Sequence, residues 1–366
     1  MSKYVAILLW ALAAVFLMPW AIRRRFELVN GEVEYRYSWI VAILVFLPLI
    51  YMSAKRGWIA DTPLYIRNFT ERMPSALSDI PSYINTVKKD KGFYFLSSII
   101  KVIIGNHVEL YLGIIAAIQS AGLIFLFRKY SPAFAVSFFL FIASTDYFSW
   151  MFNGIRQFTA VCMMLFATPF LLKRKFVPAI LVILIASTMH RSALIMIPLV
   201  LISVGEAWNK RTLLFLAVVL LAVMFVGQFT NLLDDALQNT QYSYVVDDYT
   251  AWNDDGTNPL RVLVYSFPAI VSFWGRNKIK HYGDDMTHFC VNMSIASAGL
   301  YLISMVTSGL FMGRLPIYAS LYSYILLPWE IDHLIDQKNR LLVYMSMIMA
   351  YVFLYYYQMH ITWGRF

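Results

Sequence analysis

The sequence predicts an all-α polytopic membrane protein, with about twelve transmembrane helices and an external loop built of short helices. The first observation is composition: hydrophobic residues make up 60% of the 366-residue chain and charged residues only 14%. Soluble domains contain roughly 45–50% apolar and about 25% charged residues, so this chain cannot cover a water-facing surface with polar groups. The second observation is that the apolar residues are gathered in runs long enough to cross a bilayer.

These runs define the predicted spans, because a spanning helix needs about 20 apolar residues. The spans are 4–22, 38–54, 110–127, 133–150, 154–172, 177–189, 192–205, 212–229, 260–275, 286–307, 310–329 and 341–359. Segments 177–189 and 192–205 are short, which is typical of half-helices that meet partway through the bilayer. A further apolar stretch, Phe93–Gly105, is interrupted by Lys101, and we predict an interfacial or re-entrant helix there. No linker or internal repeat divides the chain, so we expect a single membrane domain over residues 1–366.

Several other classes of protein are disfavoured. Cys162 and Cys290 lie inside apolar runs, which argues against a disulfide framework and against a cysteine metal site. The first apolar run, Tyr4–Ile22, has no small-residue cleavage site after it, so it predicts a transmembrane helix and not a signal peptide. The sequence contains no glycine-rich phosphate loop, His-Glu-x-x-His or Asp-x-Asp motif, and we predict no metal, no cofactor and no nucleotide donor. The net charge of +9 lies in short clusters between spans, which indicates membrane topology and not nucleic-acid binding.

The basic clusters predict the orientation, because Lys and Arg are enriched in cytoplasmic loops. They fall in every second loop between the twelve predicted spans. The clusters are Arg23–Arg25, Arg128-Lys129, Lys173–Lys175, Lys210-Arg211, Arg276–Lys280 and Lys338–Arg340. Placing all of them inside puts both termini outside, which agrees with an even number of spans. Two long loops, 55–109 and 230–259, are then external.

The two external loops differ in character. Pro74 and Pro81 predict that 55–109 is divided into short amphipathic helices, because proline cannot donate a hydrogen bond within a helix. The loop 230–259 is acidic and aromatic, for example at Asp247-Asp248-Tyr249. Carboxylates and aromatic rings suit a polar, ring-shaped ligand such as a sugar. The competing interpretation is a solvated loop with interfacial aromatic residues.

Five arginines stand at the external ends of predicted spans, where an ionisable group is by default a functional-site hypothesis. They are Arg56, Arg156, Arg191, Arg261 and Arg314. An arginine fork grips phosphate bidentately, so a lipid diphosphate lying at headgroup depth is the ligand that would attract all five. Each arginine also has a structural explanation, such as snorkelling to the interface or anchoring a helix end.

Three residues are candidates for the acid or base. His190 lies in a polar break between two short spans, and its ordinary pKa near ~6.5 permits general-base work. Asp61 and Asp146 are the reserves. A structural histidine and carboxylates paired with arginines are the competing interpretations. Asp90 is predicted to be a helix cap.

Taken in order, short blocks of sequence resemble the EpsG-like branch of the Wzy polysaccharide polymerases. The blocks are Arg56 with Asp61-Thr62-x-x-Tyr65, Asp90-x-Gly92-Phe93, Asp146 with Asn153-Gly154-Ile155-Arg156-Gln157, Ala186-Ser187-x-x-His190-Arg191-Ser192-Ala193, and Gly313-Arg314-Leu315-Pro316. The resemblance covers about residues 1–330. It brings Tyr65, Asn153 and Gln157 into the predicted binding site beside the arginines.

The resemblance implies a bacterial inner-membrane glycosyltransferase with a GT-C-like helical bundle and an active site that faces the periplasm. Such an enzyme polymerises oligosaccharide repeat units linked to undecaprenyl diphosphate, without a metal. Its expected partners are these lipid-linked glycans, membrane lipids, a chain-length regulator and a flippase.

Three alternatives stay open at this point. An O-antigen ligase would share the basic cavity but accept lipid A core. A flippase or transporter would line a path through both leaflets with charge, whereas the inner halves of these spans carry little. A membrane acyltransferase would also combine His and Arg but would use an acyl donor.

Overall fold

The computed structural model describes residues 2–22, 24–29, 32–58, 60–145, 149–237 and 256–362. The elements of the amino-terminal half are α1 (Lys3–Ala21), β1 (Arg25–Val29), β2 (Glu32–Arg36), α2 (Trp39–Ala54), α3 (Thr62–Arg67), α4 (Ile80–Thr86), α5 (Lys91–Ile104), α6 (Val108–Tyr130), α7 (Phe134–Ala143), α8 (Ile155–Met164), α9 (Thr168–Leu172) and α10 (Phe176–Met189). Those of the carboxy-terminal half are α11 (Met196–Ser203), α12 (Lys210–Met224), α13 (Val226–Leu237), α14 (Pro259–Trp274), α15 (Arg276–Tyr282), α16 (Asp285–Val306), α17 (Ile317–Ser320), α18 (Ser323–Leu334) and α19 (Gln337–Tyr357).

Within the described residues, five helices are long and apolar enough to cross a membrane, or up to six if one bent pair forms a single span. The five are Lys3–Ala21, Val108–Tyr130, Ile155–Leu172, Asp285–Val306 and Gln337–His360. Shorter apolar helices, such as α2, α10 and α14, occupy most of the other predicted spans. The prediction of a mainly helical, multi-pass membrane protein is therefore confirmed, whereas the count of twelve spans stays a prediction.

Three predicted spans are interrupted in the structure. In the segment 133–150 the helix α7 ends at Ala143, and Thr145 has a left-handed φ of +49°. The segment 212–229 bends by 103° between α12 and α13, where Phe225 leaves the helical conformation. The segment 310–329 begins with a short 3-10 turn at Met312–Arg314 before α17 and α18. Hydropathy over a whole span did not reveal these breaks, although polar Ser144-Thr145 follows the first helix and Gly313-Arg314-Leu315-Pro316 covers the third break.

Two antiparallel strands, Arg25–Val29 and Glu32–Arg36, correct the all-α prediction in the first loop that the predicted topology places inside. Their register places Arg25 opposite Arg36 and Phe26 opposite Tyr35. The alternation of polar and apolar residues in both strands, separated by Asn30-Gly31, is a sequence signal for a hairpin that our prediction did not use.

The chain folds into two compact units. The first contains residues 1–169, 177–194 and 338–366, and the second contains residues 170–176 and 195–337. In the first unit the carboxy-terminal helix joins the amino-terminal one, since the Tyr355 hydroxyl donates to the Tyr4 carbonyl at 2.8 Å. The first unit also contains the short helices between α2 and α6, together with the buried aromatic residues that support them.

These short helices pack on α6 through a core in which Phe69 stacks on Tyr111 with 4.1 Å between ring centroids. Lys101, which interrupts the apolar pattern of α5, is buried in this region. Its ammonium group donates to the carbonyls of Phe69, Thr70 and Met73 at 2.6–2.9 Å. Lys101 therefore satisfies the carbonyl groups at the end of a helical segment, and the apolar face of α5 lies on the core.

In the second unit α16 is the central helix, and nearly all of its residues are buried. It packs against α11, α12, α14 and α18. Asn292, in the middle of α16, donates to backbone carbonyls of the turn after α11, at 3.2 Å to Ser203 and Gly205. The buried Asn292 amide therefore holds the turn after α11 against α16.

Candidate functional site

A cluster of polar side chains lies in the first unit, at the point where several helices begin or end. Arg56 follows the end of α2, and Asp61 and Tyr65 belong to the start and middle of α3. Asp90 immediately precedes α5, and Arg156 lies in the first turn of α8. The parts of the predicted blocks around Arg56, Asp90 and Arg156, which are distant in the chain, therefore lie close together in the first unit.

Arg56 is the most buried cation of this cluster, with 9% of its surface exposed. The Arg56 Nη1 donates to the Met151 carbonyl at 2.7 Å, and the guanidinium carbon lies 5.8 Å from the centroid of the Phe152 ring. Its Nε has no hydrogen-bond acceptor among the described residues. Burial lowers the pKa of Arg56 to about 10, so the group is still a cation at neutral pH. A buried positive charge without a carboxylate partner attracts an anion.

Tyr65 joins the start of α3 to the start of α8. Its hydroxyl accepts a hydrogen bond from the Gly154 N–H at 3.1 Å and donates to the Asp61 carboxylate at 3.4 Å. Asn153 adds a second link, because its side-chain oxygen accepts from the Asp61 N–H at 3.3 Å. Burial raises the pKa of Tyr65 to about 12, so the hydroxyl keeps its proton for this bond.

The backbone at Gly154, directly before α8, has a conformation that requires glycine. Its φ of +70° is left-handed, and a Cβ at this position would clash with the Trp150 ring. Glycine is the residue that adopts this conformation at little cost. The turn aims Asn153 towards α3 and starts the helix that carries Arg156.

Arg156 forms an ion pair with Asp90, with 2.7 Å between Nη1 and Oδ2. The Asp90 side chain is 4% exposed and that of Arg156 is 30% exposed. The predicted role of Asp90 was wrong: it occupies the position before α5, but its carboxylate makes no cap hydrogen bond and pairs with Arg156 instead. Burial raises the pKa of Asp90, and Arg156 and the backbone N–H of Arg191 offset part of this increase.

The His190–Arg191 segment approaches the same carboxylate. Helix α10 ends at Met189, and a 3-10 turn begins at Arg191, so the predicted polar break is confirmed. A Cβ at Gly92 would overlap the Thr188 side chain, which shows how closely the start of α5 approaches the end of α10. His190 Nδ1 lies 2.7 Å from the Ser192 hydroxyl, and the Arg191 side chain is exposed.

Comparison with known proteins identifies the family. A model of the EpsG family matches residues 39–363, which is most of the chain and includes every residue of the cluster. The chain belongs to the EpsG family. EpsG-like proteins are Wzy-type polysaccharide polymerases, so the family predicted from the ordered blocks is confirmed. Comparisons with curated proteins and with solved structures find no significant match.

The other two predicted arginines of this EpsG-family protein belong to the second unit. Arg261 is in the first turn of α14, and Arg314 ends the turn at Met312–Arg314; both belong to the second unit and are half-buried. Both elements attach to the end of α16, since Thr257 N–H donates to the Ser304 carbonyl at 3.0 Å and Gly313 N–H to the Ser308 carbonyl at 3.0 Å. The two arginines therefore share one end of the second unit, and the convergence of all five stays a prediction.

The structure describes Gln157 but not Asp146 or the middle of the second predicted external loop. Gln157 is buried, at 5% exposure, in the first turn of α8. Asp146 and the acidic aromatic segment 238–255 lie outside the described residues. Across the described part of the chain, no three His, Cys, Asp or Glu side chains are close enough together to hold a metal ion.

Proposed function

We propose that this EpsG-family protein polymerises oligosaccharide repeat units linked to undecaprenyl diphosphate, by metal-independent glycosyl transfer at the outer face of the bacterial inner membrane. The observation that carries the proposal is the buried Arg56, which has no carboxylate partner among the described residues and lies in the same cluster as Arg156. Two arginines held beside the end of a membrane helix suit a lipid-linked diphosphate. Membership of a polysaccharide polymerase family supports the same chemistry.

In the proposed reaction, the bond between the anomeric carbon of the growing glycan and the diphosphate oxygen breaks. A hydroxyl oxygen of the incoming repeat unit forms the new bond to that carbon, and its proton passes to a base. Negative charge grows on the departing diphosphate in the transition state, and pre-positioned guanidinium groups stabilise it there. Arg56 and Arg156 have this role in the proposal, with Arg191, Arg261 and Arg314 as further contacts to the diphosphate or the glycan.

His190 is the proposed base. Its Nδ1 contacts the Ser192 hydroxyl, so a neutral ring that donates from Nδ1 leaves Nε2 as the atom that accepts a proton. Asp61 is the alternative base, because its exposed carboxylate is held at the edge of the cluster by Tyr65. Tyr65 and Asn153 are then positioning residues that fix α3 against the start of α8. Asp146 and Gln157 keep the roles predicted from the sequence.

The test is to incubate the purified protein with radiolabelled undecaprenyl-diphosphate-linked repeat units and to separate the products by length. The proposal predicts a ladder of lengthening lipid-linked glycans without any nucleotide sugar, divalent metal or second protein. A ligase would need a lipid A core acceptor to give product, and an acyltransferase would need an acyl donor. A flippase would leave every repeat unit chemically unchanged. An intact, monodisperse protein that gives no ladder would contradict the proposal.

A further inference from the structure

An aromatic ring that the sequence analysis did not select lies beside the ion pair of Arg156 and Asp90. Tyr94 belongs to the beginning of α5, and its N–H donates to the Asp90 carbonyl at 3.3 Å, so it follows Asp90 by one helical turn. The guanidinium carbon of Arg156 lies 5.9 Å from the centroid of the Tyr94 ring. The same guanidinium interacts electrostatically with Tyr65 and Asp61, so Tyr94 adjoins the proposed reaction site.

A second tyrosine extends this ring into a short row. Tyr83, in α4, makes an edge contact with Tyr94, with 6.4 Å between the ring centroids and 77° between the ring planes. Both rings pack at the edge of the buried core that contains Phe93, yet each is only half-buried. The row therefore begins beside Arg156 and keeps part of its aromatic surface accessible.

Arg156 does not stack closely on the Tyr94 ring. Its distance of 5.9 Å from the ring centroid is greater than the 4.3 Å that separates Arg128 from the Trp39 ring in the same protein. The Arg156 side chain is also 30% exposed. A ligand that approaches the guanidinium from outside the protein therefore meets the Tyr94 ring as well.

A sugar ring suits this position chemically. In the proposed donor, the anomeric carbon is joined to the diphosphate through one oxygen atom, so the first sugar lies immediately beside the phosphate groups. A pyranose presents C–H groups on its faces and hydroxyl groups around its edge. The electron-rich face of an aromatic ring attracts such C–H groups, and ligand sites commonly combine aromatic rings with a few charged or polar groups.

We propose that Tyr94, supported by Tyr83, forms the subsite for the sugar that is bonded to the departing diphosphate. This subsite rests on the proposed function, since it takes Arg156 as a ligand of that diphosphate. Tyr94 contacts the sugar ring itself, whereas Arg156 contacts the phosphate oxygens. The ligand of the subsite is a pyranose with an apolar face.

The subsite is tested with two lipids that differ only in their sugar. Full-length proteins in detergent are titrated with undecaprenyl diphosphate and with the undecaprenyl-diphosphate-linked repeat unit, and each dissociation constant is measured by microscale thermophoresis. Tyr94→Phe keeps the ring, and Tyr94→Leu removes it but retains apolar contact with the core. Phe95→Leu is the matched control, because Phe95 is the next residue of α5 and is 49% exposed. Unfolding temperatures check that each variant is folded.

Tyr94→Leu is expected to weaken binding of the sugar-bearing lipid about three- to tenfold, the size of one aromatic contact, and to leave binding of bare undecaprenyl diphosphate unchanged. Tyr94→Phe and Phe95→Leu should bind both lipids like the wild type. Equal losses for both lipids in Tyr94→Leu would show that the ring only positions Arg156 and would overturn the subsite. Unchanged binding of the sugar-bearing lipid by Tyr94→Leu, or an equal loss in Phe95→Leu, would also overturn it.

These measurements separate the subsite from the polymerase proposal. If the wild type forms a ladder of glycans and Tyr94→Leu binds the sugar-bearing lipid as well as the wild type does, only the subsite is wrong. If no ladder forms, but Tyr94→Leu loses the sugar-bearing lipid and Arg156→Ala loses both lipids, the subsite stands and the proposed catalysis is wrong.

Discussion

Arg156 and Asp90 are 66 residues apart in the sequence, yet Nη1 of the arginine donates to the aspartate carboxylate at 2.7 Å. The pair joins the start of α8 to the start of α5 and holds the guanidinium in one orientation. Burial raises the pKa of Asp90 in spite of Arg156, because desolvation destabilises the charged carboxylate more than the ion pair with Arg156 stabilises it. A buried ion pair of this kind fixes the orientation of the Arg156 side chain more than it stabilises the fold.

The raised pKa makes the stability of this pair depend on pH. Asp90 has a higher pKa in the folded protein than its ordinary value of 3.8, so the folded state binds the proton more readily than the unfolded chain. Its contribution to the free energy of unfolding is therefore most favourable at low pH and falls as the pH rises through the folded-state pKa. Asp90→Asn lacks this titration.

We expect the wild-type protein to be stabilised relative to Asp90→Asn as the pH is lowered from 7 towards about 4. Unfolding temperatures of the two proteins in the same detergent, compared at each pH, measure this difference. A difference that stays constant, or that favours the wild type more at pH 7, would show that Arg156 outweighs the burial of Asp90.

The assignment of the base is tested by His190→Ala. A general base contributes typically ~10²–10⁴-fold, so turnover at saturating substrate should fall by about that factor while donor binding changes little. Ser192→Ala is the companion variant, because it removes the hydroxyl that contacts Nδ1 and leaves the ring in place. Ser192→Ala should change the pH dependence of turnover more than it changes the maximal turnover rate. If His190→Ala turns over normally and Asp61→Asn does not, the base is Asp61.

Lys101 gives a prediction about stability. Lys101→Met keeps much of the side-chain volume but leaves three backbone carbonyls without their donor. An unsatisfied buried group costs about 1–3 kcal/mol, so we expect the free energy of unfolding to fall by at least about 2 kcal/mol. Lys91→Met is the matched control, since Lys91 is exposed at the start of the same helix. Equal unfolding temperatures for the two variants would show that the Lys101 bonds contribute little.

The predicted topology is tested by single cysteines on the two sides. Asn239→Cys, in the predicted external loop, should react with an impermeant maleimide in cells whose outer membrane alone is permeabilised. Asn339→Cys, within the basic cluster Lys338–Arg340 that is predicted to be cytoplasmic, should react only after the inner membrane is lysed. Cys162 and Cys290 are buried and should contribute little background. The reverse pattern of labelling would place the candidate site on the cytoplasmic side.

Part of the site was predictable because Arg56 and Arg156 are charged residues at the ends of apolar runs, whereas Tyr65 and Asn153 were predicted from the resemblance to a family. The structure brings these four residues together in the first unit. Asp90 was misread because a residue before a helix is usually a cap, and only tertiary contact reveals its partner. A sequence cannot show that two helix starts meet.

Other features depend on backbone geometry that hydropathy does not encode. Lys101 interrupts the apolar stretch in which we predicted an interfacial or re-entrant helix, and only the structure shows that three carbonyls of a neighbouring segment compensate its burial. The break at Phe225 lies within a run of ordinary apolar residues, whereas the 3-10 turn at Met312–Arg314 contains Gly313 and Arg314, which hydropathy over a whole span does not resolve. The two strands, in contrast, could have been predicted from the alternation of polar and apolar residues on either side of Asn30-Gly31.

The central claim is that Arg56 and Arg156 stabilise the departing diphosphate, and turnover of purified variants tests it most directly. With lipid-linked repeat units at saturation, Arg56→Ala and Arg156→Ala should each slow glycan formation by about 10²–10³-fold, and Arg156→Lys should also be poor because a point charge does not replace a planar fork. Arg67→Ala, an exposed arginine of the same loop that pairs only with Glu71 among the described residues, should polymerise at nearly the wild-type rate. Wild-type ladders from folded Arg56→Ala and Arg156→Ala proteins would contradict the account.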